Sequence, residues 1–455
     1  MRTYRAAAAG AAAALAAAAL AGVRAVRPDA FPPPRARLAA GDPRPSPGWR
    51  TTTLGRNLTQ LFPLSFPLLQ ELPLVALGIG PCPSTGLYID IGVQSVAAAC
   101  GVDPTCEASP GMEPCPGTSC DVAYVCYDGE SCDPLGGAEI NATAGMPGDG
   151  AVTTEAFRCQ VLKAVHPDAY DADLVVGMGF TFYDPMMTVS GMFPEKDFAI
   201  IDAAYDPPIP NVEAFYYTED QVGFLAGVAM CEVAKKLGGD KVGLIGGIPI
   251  PPVKKFINGA VVGCYDVLPE ATIYVEYGES FNNMDNEGVK MAQDMEAEGV
   301  SVVFAAGGGT GSEGLKYLAA NGIYVIGVDV DEYVTTFGNG TVDGSEYVLT
   351  SALKKVDVGI VDAVNCFLYD WESCAGKNNM MSAANDGVGM APCHEACEVY
   401  DETIQKQVDD LFMALKDDAI STGVDEMGDI IELDEVILGR RRRLMMLNRP
   451  SDLVL

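Results

Sequence analysis

From Asp173 to Asp329 short apolar runs alternate with longer helical segments, and that alternation leaves few folds open. The runs Asp173–Phe180, Phe198–Asp202, Lys241–Gly247, Thr272–Tyr277, Val300–Ala306 and Tyr324–Asp329 read as strands. Their near-unbroken apolar character suits strands of a parallel sheet covered on both faces. The segments Asp220–Leu237, Lys254–Val267, Asn286–Glu298 and Glu313–Asn321 read as helices between them. Strands alternating with helices predict α/β architecture with parallel, doubly wound sheets. An earlier unit pairs the strand Leu74–Gly80 with a helix over Ile91–Cys100, and a further strand covers Asp121–Cys126. No repeat period is visible, which excludes a solenoid or propeller.

Composition sets the scale. The 455 residues are 49% hydrophobic and 20% charged, enough for sizeable buried cores, and two lobes are expected once leader and tail are set aside. Asp and Glu number 62 against 29 Lys and Arg, a formal net charge of -33, so no nucleic acid partner is expected.

Of the fourteen cysteines, seven crowd the window from Cys82 to Cys132. No pair has C-x-x-C spacing and the only histidines are His166 and His394, so disulfides in an oxidising compartment are expected, with connectivity open and no metal site. Arg2 and Arg5 precede an Ala/Leu run from Ala6 to Gly22, the pattern of a signal peptide over residues 1–25, although an uncleaved anchor or an organelle leader fits as well. Residues 26–72 read as a Pro/Arg-rich leader or linker, and 436–455 as a basic disordered tail. Acceptor sequons at Asn57, Asn141 and Asn339 are consistent with an exported glycoprotein.

Ligands of open α/β sheets sit at the carboxyl ends of the strands, which directs attention to four places. The Gly/Pro loop from Gly246 to Pro252 is a pocket wall with Lys254 as its polar candidate. Phe281 lies just past a strand end, where a ring can stack on a planar base. Asp329 closes a strand and can accept two hydroxyl hydrogen bonds, with Asp331 its rival; Lys354 is a donor opposite it, with Lys355 the rival. The loop Gly307–Gly314 contains G-x-G-x-x-G, and Asp329 follows Gly309 by 20 residues. That is the setting of a dinucleotide fingerprint, so an NAD-type enzyme stands as an alternative. Neither a Cys/His nor a Ser/His arrangement accompanies the loop, and no catalytic residue is assigned.

The ordered motifs FLAGVAM (Phe224–Met230), KVGLIGGIPIPPVKKFINGAVVG, YGESFNN, VVFAAGGGTG, YVIGVDVDE and LTSALKKVDVG resemble the basic membrane protein family of PnrA-like substrate-binding proteins over about Asp173–Met427. The resemblance implies a type I periplasmic binding protein-like fold, with two Rossmann-like lobes joined by crossover strands and closing on a ligand. The first lobe would run over 73–215, with a Cys-rich insertion, completed by part of 350–400. The second would run over 216–349, completed by part of 400–435.

By motif position, Phe281 is implied as a stacking ring, Asp329 as the ribose acceptor and Lys354 as the ribose donor, with backbone around Gly308 and Thr310 lining the cleft. The chain departs from the family in the first-lobe loop, which reads PCPSTGLY and includes Cys82; Tyr88 and Phe180 are the aromatic candidates there. The implied function is an exported, non-catalytic receptor without a cofactor. It would capture a nucleoside, purine first, or a similar metabolite for uptake or sensing. A membrane transporter is the implied partner, and the location is extracellular or at the plasma membrane. A sensor or interaction domain with a degenerate pocket is the other alternative.

Overall fold

The computed structural model describes residues 73–81, 87–102, 117, 119–127, 154–431 and 443–446. The signal peptide, the leader, the loop with Cys82, most of the Cys-rich window and the sequons at Asn57 and Asn141 lie outside the described residues.

The first strands and helices are β1 (Leu74–Pro81), α1 (Leu87–Cys100), β2 (Asp121–Tyr127), α2 (Thr154–Val165), β3 (Leu174–Met178), α3 (Tyr183–Met192), β4 (Asp197–Ile201) and β5 (Val212–Tyr217). There follow α4 (Glu219–Lys236), β6 (Lys241–Gly246), α5 (Pro251–Val267), β7 (Thr272–Tyr277), α6 (Glu287–Glu298), β8 (Val302–Ala306), α7 (Gly308–Ala320) and β9 (Tyr324–Asp329). The last are β10 (Val348–Lys354), α8 (Val356–Cys374), β11 (Asn378–Met381), β12 (Val388–Met390), α9 (Glu402–Lys416) and β13 (Arg443–Met446).

One sheet has six strands in the order β11-β5-β4-β3-β1-β2, the other seven in the order β12-β10-β9-β8-β6-β7-β13. In the second sheet β9 pairs parallel with β8 and β10, and β6 with β7 and β8; only β12 runs antiparallel, on β10. Strands β3, β4 and β8 are buried along their whole length, the reason they carry apolar residues at every position rather than at alternate ones. The predicted doubly wound α/β class is the observed one. Arg443–Met446, inside the expected basic tail, forms a strand paired parallel with β7.

The chain divides into two compact units. Of the described residues, those up to Ala199 with Ile209–Glu213 and Val361–Gly376 form one; Ile200–Pro208, Ala214–Ile360 and those from Lys377 onward form the other.

Within the second unit, α4 and α5 meet backbone to backbone. A Cβ on Gly227 would lie 2.0 Å from the Ala260 carbonyl oxygen, and one on Gly263 would lie 2.0 Å from that of Phe224. Gly223 and Gly227 on α4, and Gly259 and Gly263 on α5, are each four residues apart and so share a helix face. The disulfide Cys231–Cys264 joins the same two helices. This close seam fixes Glu219, the first residue of α4, relative to Lys255 and Phe256 in the first turns of α5.

Disulfides also join Cys100 to Cys120, Cys366 to Cys374 and Cys393 to Cys397, so the expectation of disulfides holds among the described residues. No helix of the described residues is long and apolar enough to cross a membrane.

Two boundaries differ from expectation for local reasons. Helix α5 starts at Pro251 rather than Lys254, because proline is pre-shaped for the first helical turn, where its missing N–H costs nothing. Helix α7 starts at Gly308, not Glu313, so the glycine-rich stretch is mostly helix. Its glycines serve packing: a Cβ on Gly314 would lie 2.8 Å from the Gly288 carbonyl oxygen. Strand β5, VEAFYY, has no counterpart among the strands read from sequence, although it is buried at five of its six positions.

Candidate functional site

In the second sheet the parallel strands β10, β9, β8, β6 and β7 end in that spatial order at one edge. Lys354 ends β10, Asp329 ends β9, Gly307 and Gly308 follow β8, Gly247 follows β6 and Phe281 lies four residues past β7. Of the candidates chosen from sequence, Lys354, Asp329, Gly308 and Phe281 thus line one sheet edge.

Lys354 is the centre of a charge cluster. Its Nζ donates to Asp202 Oδ2 at 3.0 Å and lies 3.8 Å from Asp329 Oδ1 and 4.0 Å from Glu219 Oε1. Lys255 Nζ lies 3.4 Å from Glu219 Oε2 and donates to the Tyr217 carbonyl at 3.3 Å. The Lys354 ammonium also sits 5.8 Å from the Tyr217 ring centroid and 6.0 Å from that of Phe256, within cation–π range.

Strand register puts Asp329 beside Leu353, which brings its carboxylate next to Lys354. Asp202 and Asp329 both have positive φ, 74° and 63°, a conformation that aspartate tolerates better than most residues and that turns each side chain at a strand end.

Burial governs the acid–base balance. The Lys354 side chain is 6% exposed. Burial alone would lower its pKa, but the carboxylates of Asp202, Asp329 and Glu219 hold it above the ordinary lysine value. Glu219, 2% exposed, is pushed up to about 7, chiefly by burial and against the pull of Lys354 and Lys255. Burial likewise raises Asp329, with Lys354 opposing. Asp329 Oδ1 is a buried acceptor without a hydrogen-bond partner, and so is Glu219 Oε2. Such atoms are costly unless something fills them.

Glu332 braces the cluster from behind. Its Oε1 accepts the Val328 N–H at 3.1 Å, its Oε2 accepts Ser312 Oγ at 2.9 Å, and its own N–H donates to Ser351 Oγ at 3.0 Å. The carboxylate thereby ties α7 to β9, and the backbone of the same residue adds β10.

Around Phe281 the chemistry is different. Glu287 Oε1 accepts Ser280 Oγ at 2.7 Å and the Ser280 N–H at 3.0 Å, while its Oε2 accepts the Glu279 N–H at 2.8 Å. Fully buried Thr310 donates its hydroxyl to the Ser280 carbonyl and accepts the Asn283 N–H, each at 2.8 Å. Burial would raise Glu287, but these hydrogen bonds from Glu279, Ser280 and Thr310 hold its carboxyl below the usual range. The ring edge of Phe281 rests against Gly247, where a Cβ would lie 2.5 Å from its Cε1. Gly308, at φ 55°, admits the Phe281 backbone at a point where a Cβ would lie 3.2 Å from its carbonyl oxygen.

The other sequence candidates go elsewhere. Lys254 pairs with Asp429, and it is the next residue, Lys255, that reaches the cluster. One residue along a helix is a turn of about 100°, enough to exchange surface for interior. Phe180 is in the first unit, 43% exposed on the short turn Phe180–Phe182 after β3. Tyr88 belongs to α1, and its side chain lies outside the described residues. Asp331, the rival of Asp329, is engaged by His394, whose Nε2 lies 2.6 Å from Asp331 Oδ2 while its ring stacks on Tyr333 at 4.0 Å. Sequence reading missed Asp202, Glu219 and Lys255. Asp202 carried the same signal as Asp329, an acid closing a buried strand.

The structure thus sets a buried lysine among acids at the carboxyl edge of a doubly wound sheet, the edge at which ligands of open α/β sheets sit. Residues 134–417 match the family of ABC transporter substrate-binding proteins described as PnrA-like, and the chain belongs to that family. Among curated relatives it is 34% identical over 203 residues to the CD4+ T-cell-stimulating antigen of Listeria monocytogenes, covering 42% of this chain and 55% of that protein. It is 27% identical over 245 residues to basic membrane protein D of Borreliella burgdorferi, covering 52% and 67%. The chain spans about half the length of the first of these relatives.

Among solved structures, a solute-binding protein of an ABC transporter system from Aeropyrum pernix aligns with a TM-score of 0.56 at 18% identity, over 77% of this chain and 92% of that one. A transcriptional activator of the comK gene from Bacillus halodurans aligns at 0.55 and 16% identity, over 76% and 99%. These likenesses fix the fold as type I periplasmic binding protein-like.

Proposed function

We propose that this chain is a non-catalytic receptor that captures a nucleoside, a purine nucleoside first, or a similar hydroxyl-rich metabolite at the Lys354–Asp329 edge of its second unit. The observation that carries the reading is Asp329 Oδ1, a buried acceptor without a hydrogen bond, 3.8 Å from an ammonium. A ribose diol presents two hydroxyls that can donate to the carboxylate and accept from the ammonium. Phe281, seated on Gly247 at the same sheet edge, is the ring proposed to stack on the base. Family membership supports solute capture and a membrane transporter as the partner.

The disulfides and the amino-terminal sequence support an exported protein, extracellular or associated with a membrane. The dinucleotide alternative loses support because Gly309–Gly314 lies inside α7 and its glycines are taken up by packing, instead of forming the open turn that receives a pyrophosphate. Sensing rather than uptake is the second reading, favoured by the 25% identity over 185 residues to the transcriptional activator protein med of Bacillus subtilis.

The test is calorimetric titration with adenosine, guanosine, inosine and uridine, followed by recovery of the solute. Binding with the solute unchanged is expected. The absence of heat and of a thermal shift with all of these compounds defeats the nucleoside reading, and conversion of the solute defeats the non-catalytic one.

A further inference from the structure

Glu219 is buried between two ammonium groups, yet it makes no short bond to either. Its Oε1 is 4.0 Å from Lys354 Nζ and its Oε2 is 3.4 Å from Lys255 Nζ. The other charged groups around this cluster are Asp202, beyond β4 and bonded to Lys354, Asp329, on the far side of Lys354 at the end of β9, and Glu332, behind Asp329 and bonded to Val328 and Ser312. On α4 itself Asp220 follows directly and is hydrogen-bonded by Thr422. Helix α9 meets α4 only further along, where Lys236 pairs with Asp401 and Gln407 bonds Glu232. The Tyr217 phenol donates to the Lys355 carbonyl and adds no charge.

The cluster thus sets three carboxyl groups, Asp202, Glu219 and Asp329, against two ammonium groups, Lys354 and Lys255. Among these five groups, all ionised, negative charge exceeds positive by one, and a proton on Glu219 removes that excess; Asp220, which faces Lys255, and Glu332, behind Asp329, add further acids and no cation. A solute that covers Lys354 and Asp329 removes water from the cluster, and an unbalanced buried charge grows more costly as water leaves. A neutral solute brings no compensating charge. Asp202 accepts a 3.0 Å bond from Lys354 and Asp329 is the acceptor that faces the solute, which leaves Glu219 as the carboxyl to take the proton.

Building on the solute-capture reading above, we propose that Glu219 is a positioning residue that takes up a proton when solute is captured, so that affinity is linked to pH through the charge balance around Lys354. Glu219 does not touch the solute; it sets how many negative charges Lys354 has to balance. Its elevated pKa, about 7, puts this exchange within the physiological range.

Two measurements on the full chain decide the matter. First, the solute-free protein carrying carboxyl-13C glutamate is titrated from about pH 5 to about pH 9. The Glu219 resonance, assigned by its loss in Glu219→Gln or, if that variant does not fold, in Glu219→Asp, is expected to titrate at about 7. A midpoint near the ordinary 4.5 overturns the proposal whether or not any nucleoside binds. Second, calorimetry with the four nucleosides in buffers of unlike ionisation heat counts protons. Uptake of a fraction of a proton is expected in the native protein and none in Glu219→Gln. Affinity is expected to be up to about tenfold weaker one to two pH units above the Glu219 midpoint. Uptake that persists in Glu219→Gln but vanishes in Asp329→Asn overturns the assignment to Glu219. No heat with any nucleoside counts against the nucleoside reading alone and leaves the carboxyl titration to decide this one.

Discussion

The ends of β9 and β10 and the ends of β7 and β8 lie along one sheet edge, but their polar groups are arranged for different ends. Around Phe281 every side-chain oxygen that shapes the loop has a partner: Glu287 takes three hydrogen bonds from Glu279 and Ser280, and Thr310 both donates and accepts. Around Lys354, by contrast, two buried carboxylate oxygens, on Asp329 and Glu219, have no hydrogen bond at all. A satisfied network rigidifies and specifies a conformation, whereas an unfilled one keeps affinity in reserve for something else. The loop is therefore a platform for a ring, and the cluster is where polar recognition resides.

Three substitutions test this division at different strengths. Lys354→Met should have the largest effect, because it removes the ammonium shared by the carboxyls of Asp202, Asp329 and Glu219, of which Glu219 pairs with Lys255 as well. Breaking a buried pair in this way costs about 3–5 kcal/mol, and a large fall in melting temperature, or failure to fold, is the expected result. A variant with native stability would show that the cluster is wet and its charges are screened.

Asp329→Asn should act on affinity instead. Loss of a charged acceptor for the solute hydroxyls costs about 1.5–3 kcal/mol of binding, while melting temperature holds or rises because a buried acid has been neutralised. If nucleoside affinity survived, the ribose assignment would be wrong. Gly247→Ala attacks the platform: its Cβ would meet Phe281 Cε1 at 2.5 Å. Displacing the ring should cost about 1–3 kcal/mol of stability and weaken base-dependent discrimination between nucleosides without altering the Asp329 contribution. Equal losses for all nucleosides would deny the ring its stacking role.

Much of this edge was legible in the sequence, since unbroken apolar runs mark parallel strands and their carboxyl ends mark ligand positions. Asp329 and Lys354 could be named because each closes such a run, and register then brought them together. Lys255 was missed in favour of Lys254 because helix phase depends on where the helix begins, and the Pro251 start shifts it. Glu219 was illegible for another reason. Its partners Lys354 and Lys255 are 135 and 36 residues away, and only the glycine seam between α4 and α5 brings it to the cluster. The glycine-rich stretch after β8 misled because glycine is read as loop, while here small residues let α7 pack close to Gly288.

The smallest effect, a slope rather than a loss, gives the finest comparison of the two regions, because the partly buried Glu287 and the buried Glu219 are shifted in opposite directions. Glu287 is held below its ordinary value, so its contribution to stability is fully present above the unfolded glutamate value of 4.5 and is lost as pH falls through the folded value. Glu219 is raised from that value to about 7, so its contribution is fully present below 4.5 and is lost as pH rises through about 7.

The slope from either group is at most about 1.4 kcal/mol per pH unit. Glu287→Gln should therefore flatten the acid limb of a stability-against-pH curve and leave the limb between 4.5 and about 7 alone, and Glu219→Gln should do the reverse. Urea denaturation of the solute-free protein at several pH values measures both. If Glu219→Gln flattened the acid limb instead, its carboxylate would be stabilised by Lys354 and Lys255 more than it is opposed by burial. The cluster would then be as settled as the loop, and the contrast between the two regions would collapse.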